Sequence, residues 1–217
     1  MIRILIADDH RIVREGLKQI LSDENGFIIS GEAANGLEAL KQIREQTIDV
    51  LLMDMSMPGR SGIELIKQIK SEKPKLAILV LSMHKEEQYA VRALKAGALG
   101  YLTKESAPDQ LVAAIWKIAG GGVFISSGVA ERLALELGGN HDAAPHTLLS
   151  DREYQIFRMI VSGTTIGSIA NELSLSIKTV STHKTRILQK MKMTNGAELI
   201  HYAIRHQLVE LPSDSSY

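Results

Sequence analysis

In the first 120 residues of this 217-residue chain, five short runs of β-branched and aliphatic residues alternate with longer stretches of helical spacing. The runs are residues 3–7, 27–33, 50–53, 77–81 and 100–102. Strands that alternate with helices imply a parallel sheet covered on both faces, because each crossover helix must bury its apolar stripe. Residues 10–21 place Ile12, Val13, Gly16, Leu17, Ile20 and Leu21 on one helix face, and residues 36–44 do the same with Leu37, Leu40 and Ile43. The expected fold is therefore α/β, a doubly wound five-stranded parallel sheet, followed by a second, smaller all-α domain.

The glycines at 120–122 close the first unit, and residues 127–137 read as a short helix stopped by Gly138 and Gly139. NHDAAPHT at 140–147 reads as a polar linker. The expected division is a first domain at 1–120, a linker with a short helix at 121–148, a helical domain at 149–211 and a tail at 212–217. In the helical domain Ser150-Asp151-Arg152-Glu153 is a capping box, and Ile156, Met159 and Ile160 form the stripe of its first helix. Residues 165–173, the turn Ser174-Leu175-Ser176 and residues 177–191 then describe a helix-turn-helix, with a further helix at 196–206.

Charge does not announce a partner, since Lys plus Arg and Asp plus Glu both number 25. Locally it is uneven: residues 178–192 hold five Lys or Arg side chains and no acid. The absence of cysteine excludes disulfides and thiolate metal sites, and fits a reducing compartment. The apolar IRILIA near the start is interrupted by Asp8 and Asp9, too early for a signal peptide or a membrane span. The expectation is a cytoplasmic protein with no membrane partner.

A carboxylate does not belong in a buried strand, yet DVLLMDMSMPG at 49–59 places Asp54 at the end of one. In an open parallel sheet, ligands bind beyond the carboxyl ends of the strands. Asp8 and Asp9 follow the first strand, Asp54 ends the third, Ser82 follows the fourth and Lys104 the fifth, so all five share that edge. Three gathered carboxylates repel one another unless a cation neutralises them. A set of oxygen ligands favours a hard ion, and Mg²⁺ is the one that binds through one or two carboxylates, waters and a phosphoryl group. Asp54 is then placed as a nucleophile toward phosphorus, with Lys104 supplying transition-state charge. Each residue also has a bland reading: Asp8 as a helix cap, Asp54 as a loop cap, Ser82 as a turn residue, Lys104 as a solvated lysine. For all of them to fall at one edge by accident is improbable.

DDH at 8–10, DMSMPG at 54–59, LSMH at 81–84 and GYLTK at 100–104 resemble, in order and spacing, the motifs of the receiver domain of two-component response regulators, a flavodoxin-like fold. The resemblance implies that Asp54 accepts a phosphoryl group from a sensor histidine kinase. It also implies that Asp9, Asp54 and the Ser56 backbone carbonyl bind Mg²⁺ directly, that Asp8 acts through water, and that Ser82 and Tyr101 form the switch. Glu105 follows the lysine where many receivers have proline.

On a helical wheel of residues 177–191, Val180, Ile187, Leu188 and Met191 fall on one side, and hydroxyls, an amide and cations on the other. A solvated face is the bland alternative, but the preceding helix and tight turn favour a DNA-reading one. The expected DNA-contacting set is Lys178, Ser181, Thr182, Thr185, Arg186, Gln189 and Lys192. Lys184 falls beside the apolar stripe, where it snorkels to a phosphate or the helix tilts. LSDREYQI at 149–156, IANEL at 169–173 and LSIKTVSTHKTRILQKM at 175–191 resemble the LuxR-type DNA-binding domain, and the pair of domains resembles the NarL/FixJ subfamily. The chain departs from that pattern at Ile166-Gly167-Ser168, where glycine weakens the helix.

The resemblance implies a phosphorylation-switched transcription regulator that binds double-stranded DNA as a homodimer. Beyond Mg²⁺-dependent self-phosphorylation and self-dephosphorylation at Asp54, no enzyme activity is expected. Haloacid-dehalogenase-type phosphatases also place a nucleophilic aspartate after a parallel strand, but need a second acid two residues on, where this chain has Ser56.

Overall fold

The computed structural model describes residues 1–57, 62–83, 87–137, 144–206 and 208. The expectations at Pro58, Gly59, His84, Gly138 and Gly139, at 140–143, at Leu211 and for the tail lie outside the described residues. The chain divides into two compact units, Met1–Gly139 and Asn140–Tyr217.

In the first unit, β1 (Ile2–Ala7), β2 (Phe27–Ala33), β3 (Val50–Asp54), β4 (Ala77–Ser82) and β5 (Gly100–Thr103) form one sheet in the order β2-β1-β3-β4-β5. Every pairing is parallel. The helices α1 (Arg11–Ser22), α2 (Gly36–Glu45), α3 (Gly62–Glu72), α4 (Glu87–Ala96) and α5 (Pro108–Ala119) are the crossovers and the closing helix. β3 and β4 are buried along their whole length, as strands covered on both faces must be. Side-chain alternation splits them between two cores. Leu5, Leu51, Met53, Ile78 and Val80 pack with α2, α3 and α4, whereas Ile4, Ile6, Leu52, Leu79 and Leu81 pack with α1 and α5.

Two expected stripes are narrower than the sequence suggests. Ile12 is 87% exposed and Gly16 is exposed, because the buried line of α1 runs through Val13, Leu17, Ile20 and Leu21, and Ile12 lies one residue, about 100°, away from Val13. Leu37 is 76% exposed for the same reason, with Ala39, Leu40 and Ile43 facing the sheet. The stretch 121–148, expected as a linker, is shared between the units. Within the first unit, α6 (Ser127–Leu137) packs its Val129 and Leu133 into the core that also holds Ala90 and Val91 of α4. Residues Pro145–Leu148 form a 3₁₀ turn in the second unit, where His146 is buried with its Nδ1 2.6 Å from the Tyr202 hydroxyl.

The second unit holds α7 (Asp151–Val161), α8 (Ile166–Glu172), α9 (Ile177–Met191) and α10 (Gly196–Arg205). The capping box is formed: the Glu153 N–H donates to Ser150 Oγ at 3.3 Å, and the Ser150 N–H donates to Glu153 Oε2 at 2.8 Å. The buried face of α7 is wider than the expected stripe. Tyr154, Ile156, Phe157 and Val161 are buried, while Met159 and Ile160 are only half-buried, because α8, α9 and α10 all pack against this helix. Ser174 makes the tight turn in the left-handed region, φ 53°, with its N–H donating to the Asn171 carbonyl. Among the described residues, no helix is long and apolar enough to cross a membrane.

Gly167, the departure in α8, has no positive φ, and a Cβ added there would meet only the Thr165 hydroxyl, at a van der Waals distance of 4.0 Å. Gly167→Ala is therefore expected to raise the stability of the second unit by up to about 1 kcal/mol, read as a higher denaturant midpoint at unchanged m-value.

Candidate functional site

Strand order reverses between β1 and β3, since β1 connects outward to β2 and β3 onward to β4. The crevice beyond their carboxyl ends is the topological switch point, where open α/β sheets bind ligands. Asp8 follows β1, Asp54 is the last residue of β3, and both are 1% exposed. Lys104, just past β5, reaches both: its Nζ lies 2.7 Å from Asp8 Oδ2 and 3.0 Å from Asp54 Oδ2. The Lys104 N–H donates to the Ser82 carbonyl at 2.8 Å, which ties the ends of β4 and β5 together beneath that ammonium.

Burial raises the pKa of Asp54 above the ordinary carboxylate range; Lys104 opposes that shift and Asp8 adds to it. For Lys104, burial works to lower the pKa, but its two carboxylates prevail and the ammonium is held charged more firmly than usual. Three carboxylates gather here against Lys104, and one ligand oxygen from each of Asp8, Asp9 and Asp54, with a ring nitrogen of His10, all lie within 4.8 Å of one another. That donor set, rich in carboxylate oxygen and short of positive charge, suits a hard divalent cation.

All the acids expected at this edge are there. Ser56 is exposed, and its N–H donates to Asp54 Oδ1 at 3.2 Å, folding the chain back over the acid. Ser82 is 1% exposed at the end of β4, and Tyr101 is buried in the core beside α4. Two participants were not foreseen. His10 Nδ1 stands 2.9 Å from Asp9 Oδ1 and 3.3 Å from Asp8 Oδ1, and its N–H donates to Asp8 Oδ1 at 2.8 Å. Arg14, one turn further along α1, donates from Nη1 to the Asp8 carbonyl at 2.7 Å and from Nε to Glu32 at 3.1 Å. The signal for both was their spacing: His10 adjoins the acidic pair, and Arg14 lies four residues, one helical turn, beyond His10. A groove of about 620 Å³ opens at the other end of the sheet, among Asp49, Leu76, Ala77 and Leu99, and is lined by none of these groups.

In the second unit Lys178, Ser181, Thr182, Thr185, Arg186, Gln189 and Lys192 are all exposed, while Val180, Ile187 and Met191 are buried. Leu188 is half-buried. Thr182 and Thr185 donate their hydroxyls to the carbonyls of Lys178 and Ser181, at 2.9 and 3.1 Å. Their hydrogens are thus engaged by the helix, and outward they offer acceptor lone pairs, which suit the amino groups of cytosine or adenine. Lys184 is half-buried and sits with Nζ beside Gly196 at the start of α10. Lys190 points to the other side, its Nζ 2.6 Å from the buried Glu153 carboxylate. Burial alone would raise the Glu153 pKa, but Lys190 and the Ser150 N–H and hydroxyl outweigh it and hold the carboxyl below its usual range. This ion pair braces α9 against α7.

Residues 4–116 match the family described as the response regulator receiver domain, and residues 147–203 match the bacterial regulatory proteins of the luxR family. Response regulator UvrY of Escherichia coli K12 is 39% identical over 217 residues, covering 100% of both chains. Response regulator GacA of Pseudomonas aeruginosa is 38% identical over 215 residues, 98% of this chain and 100% of that protein. Among solved structures, RcsB from Salmonella enterica serovar Typhimurium, bound to promoter rprA in the presence of the phosphomimetic BeF₃⁻, is 29% identical with a TM-score of 0.66. That match covers 93% of this chain and 98% of RcsB.

A carboxyl whose pKa is raised by folding contributes stability below its unfolded pKa and loses it as pH rises through the folded value. Asp54→Asn, which cannot ionise, is therefore expected to be more stable than the parent chain at pH 7 without divalent cations. The gap should close as pH falls below the raised range of Asp54, as measured by thermal unfolding across pH.

Proposed function

The chain belongs to the two-component response regulators that join a receiver domain to a LuxR-type DNA-binding domain, and on that premise we propose that it is a transcription regulator switched by phosphoryl transfer from a sensor histidine kinase to Asp54. One observation carries the reading: Asp8, Lys104 and Asp54 are buried together at the switch point of a receiver sheet.

Asp9, Asp54 and the Ser56 carbonyl would hold Mg²⁺ directly, with Asp8 acting through water. When bound, the ion supplies charge neutralisation for the phosphoryl oxygens. The chain's own residues do the rest. A carboxylate oxygen of Asp54 forms the new O–P bond as the donor's P–N bond breaks and the imidazole leaves with that electron pair. Lys104, already within ion-pair distance of Asp54, balances charge on the transferring group. His10 and Arg14 keep the Asp8-Asp9 turn in place. The same groups serve the return reaction, in which water takes the phosphoryl group from Asp54.

Ser82 and Tyr101 would read the modification. A hydroxyl at the end of β4 can follow a new phosphoryl oxygen, and the Tyr101 ring, on the adjacent strand and buried here, can exchange between two packings. In the second unit the basic outer face of α9 would enter the major groove, with a homodimer reading two half-sites, as helix-turn-helix dimers do.

In the full chain, Asp54→Ala is expected to abolish Mg²⁺-dependent phosphoryl uptake from acetyl phosphate, followed by intact mass; undiminished incorporation would refute the assignment of Asp54. On DNA the two kinds of contact should separate. Lys178→Ala is expected to weaken binding to all sequences and to reduce the salt slope by about one. Gln189→Ala should cost about 1–3 kcal/mol on the specific duplex alone. Equal losses on specific and random duplexes would remove Gln189 from the base-reading set.

A further inference from the structure

α9 carries an apolar side chain that its own domain does not use. Val180, Ile187 and Met191 are 0%, 0% and 2% exposed, whereas Ile177, the first residue of the helix, is 62% exposed. Helix-entry packing does not account for it. Ser176 is the N-cap, so the positions of a hydrophobic staple are Leu175 before it and Val180 after it, and Ile177 falls between them. Helix propensity does not favour it either, because a β-branched residue loses rotamer freedom in a helix. Position gives Ile177 another role. It starts the i, i+4, i+8 row that continues through Ser181 and Thr185, both exposed and both on the face assigned above to DNA.

The exposed side of that helix carries Lys178 and Arg186, with Lys192 at its C-cap, and residues 177–192 hold no acid, so the occupant of the face is a polyanion. In the major groove of DNA the apolar group on a base edge is the C5-methyl of thymine. We propose that Ile177 is a specificity-determining residue that packs against the C5-methyl of a thymine in each operator half-site. The proposal rests on the DNA-reading role of α9 and adds to it a contact that neither charge nor hydrogen bonding supplies. Ser181 and Thr185, next along the row, would continue the readout on neighbouring bases.

The test uses the full-length chain with Mg²⁺ and acetyl phosphate. A duplex is first selected by the protein from a random-sequence pool. Each thymine of that duplex is then replaced singly by 2′-deoxyuridine, which removes the methyl group and leaves every hydrogen-bonding atom in place. At one thymine per half-site, the replacement is expected to weaken binding by the parent chain about fourfold, the value of one buried methyl-sized group. Ile177→Ala, a change at an exposed position, should bind the thymine and deoxyuridine duplexes equally while keeping the parent salt slope. A parent chain indifferent to every deoxyuridine, or an Ile177→Ala chain that still discriminates, overturns the assignment. A chain that enriches no sequence from the pool refutes the DNA-reading role of α9 itself, and this inference with it.

Discussion

Lys104 reaches from the end of β5 to two carboxylates that lie beyond β4, at the ends of β3 and β1. A lysine side chain 8% exposed, with its ammonium 2.7 and 3.0 Å from acids that are themselves out of solvent, is tolerable only because each charge has a partner. That arrangement rests on the sheet order β2-β1-β3-β4-β5, which sets the ends of β1 and β3 side by side and the end of β5 one strand beyond β3's neighbour β4. It also needs buried strands, because a mobile strand end would let water dissolve the pairs. One ammonium does not balance the three carboxylates gathered there, and the remaining negative charge suits the crevice to a hard divalent cation.

The second unit meets a different constraint with similar means. A helical domain of about 60 residues buries little apolar surface and depends on the quality of each contact. α7 is packed by three helices and buries two large rings, Tyr154 and Phe157, completely. Glu153 then does two things from one position: it closes the capping box at the start of α7 and accepts Lys190 from α9. With α9 held through Val180, Ile187, Met191 and that ion pair, its opposite face is left to solvent and remains available for a partner.

Much of this was legible in the residues. The alternation of strand-like and helix-like runs implied the parallel sheet, and chemistry at strand ends implied which side of it mattered; Asp8, Asp54, Ser82 and Lys104 all lie there. The polar face of α9 was legible because helical spacing separates it cleanly from the buried residues. Periodicity failed where it had to choose among adjacent apolar residues. Ile12 and Leu37 look like core and point to solvent, since a helix on a sheet buries a stripe narrower than the apolar set suggests. At α7 the error ran the other way, because a helix enclosed by three others buries more than one stripe. His146 sits in a stretch of polar composition, and nothing in that composition indicates that Tyr202, more than fifty residues later, would receive it.

The elements, their order and the kinds of chemical group at each strand end are already fixed in the amino-acid order, because they follow from local spacing and from the valence of the side chains. Tertiary structure decided which of those groups share a charge. That Lys104 meets Asp8 and Asp54 together, that His10 stands between Asp8 and Asp9, that Arg14 holds the Asp8 carbonyl and that Glu153 braces α9 are matters of distance across the fold. Electrostatic energy in a buried site depends on separations of a few ångströms, and separations between residues distant along the chain exist only once the strands and helices have packed.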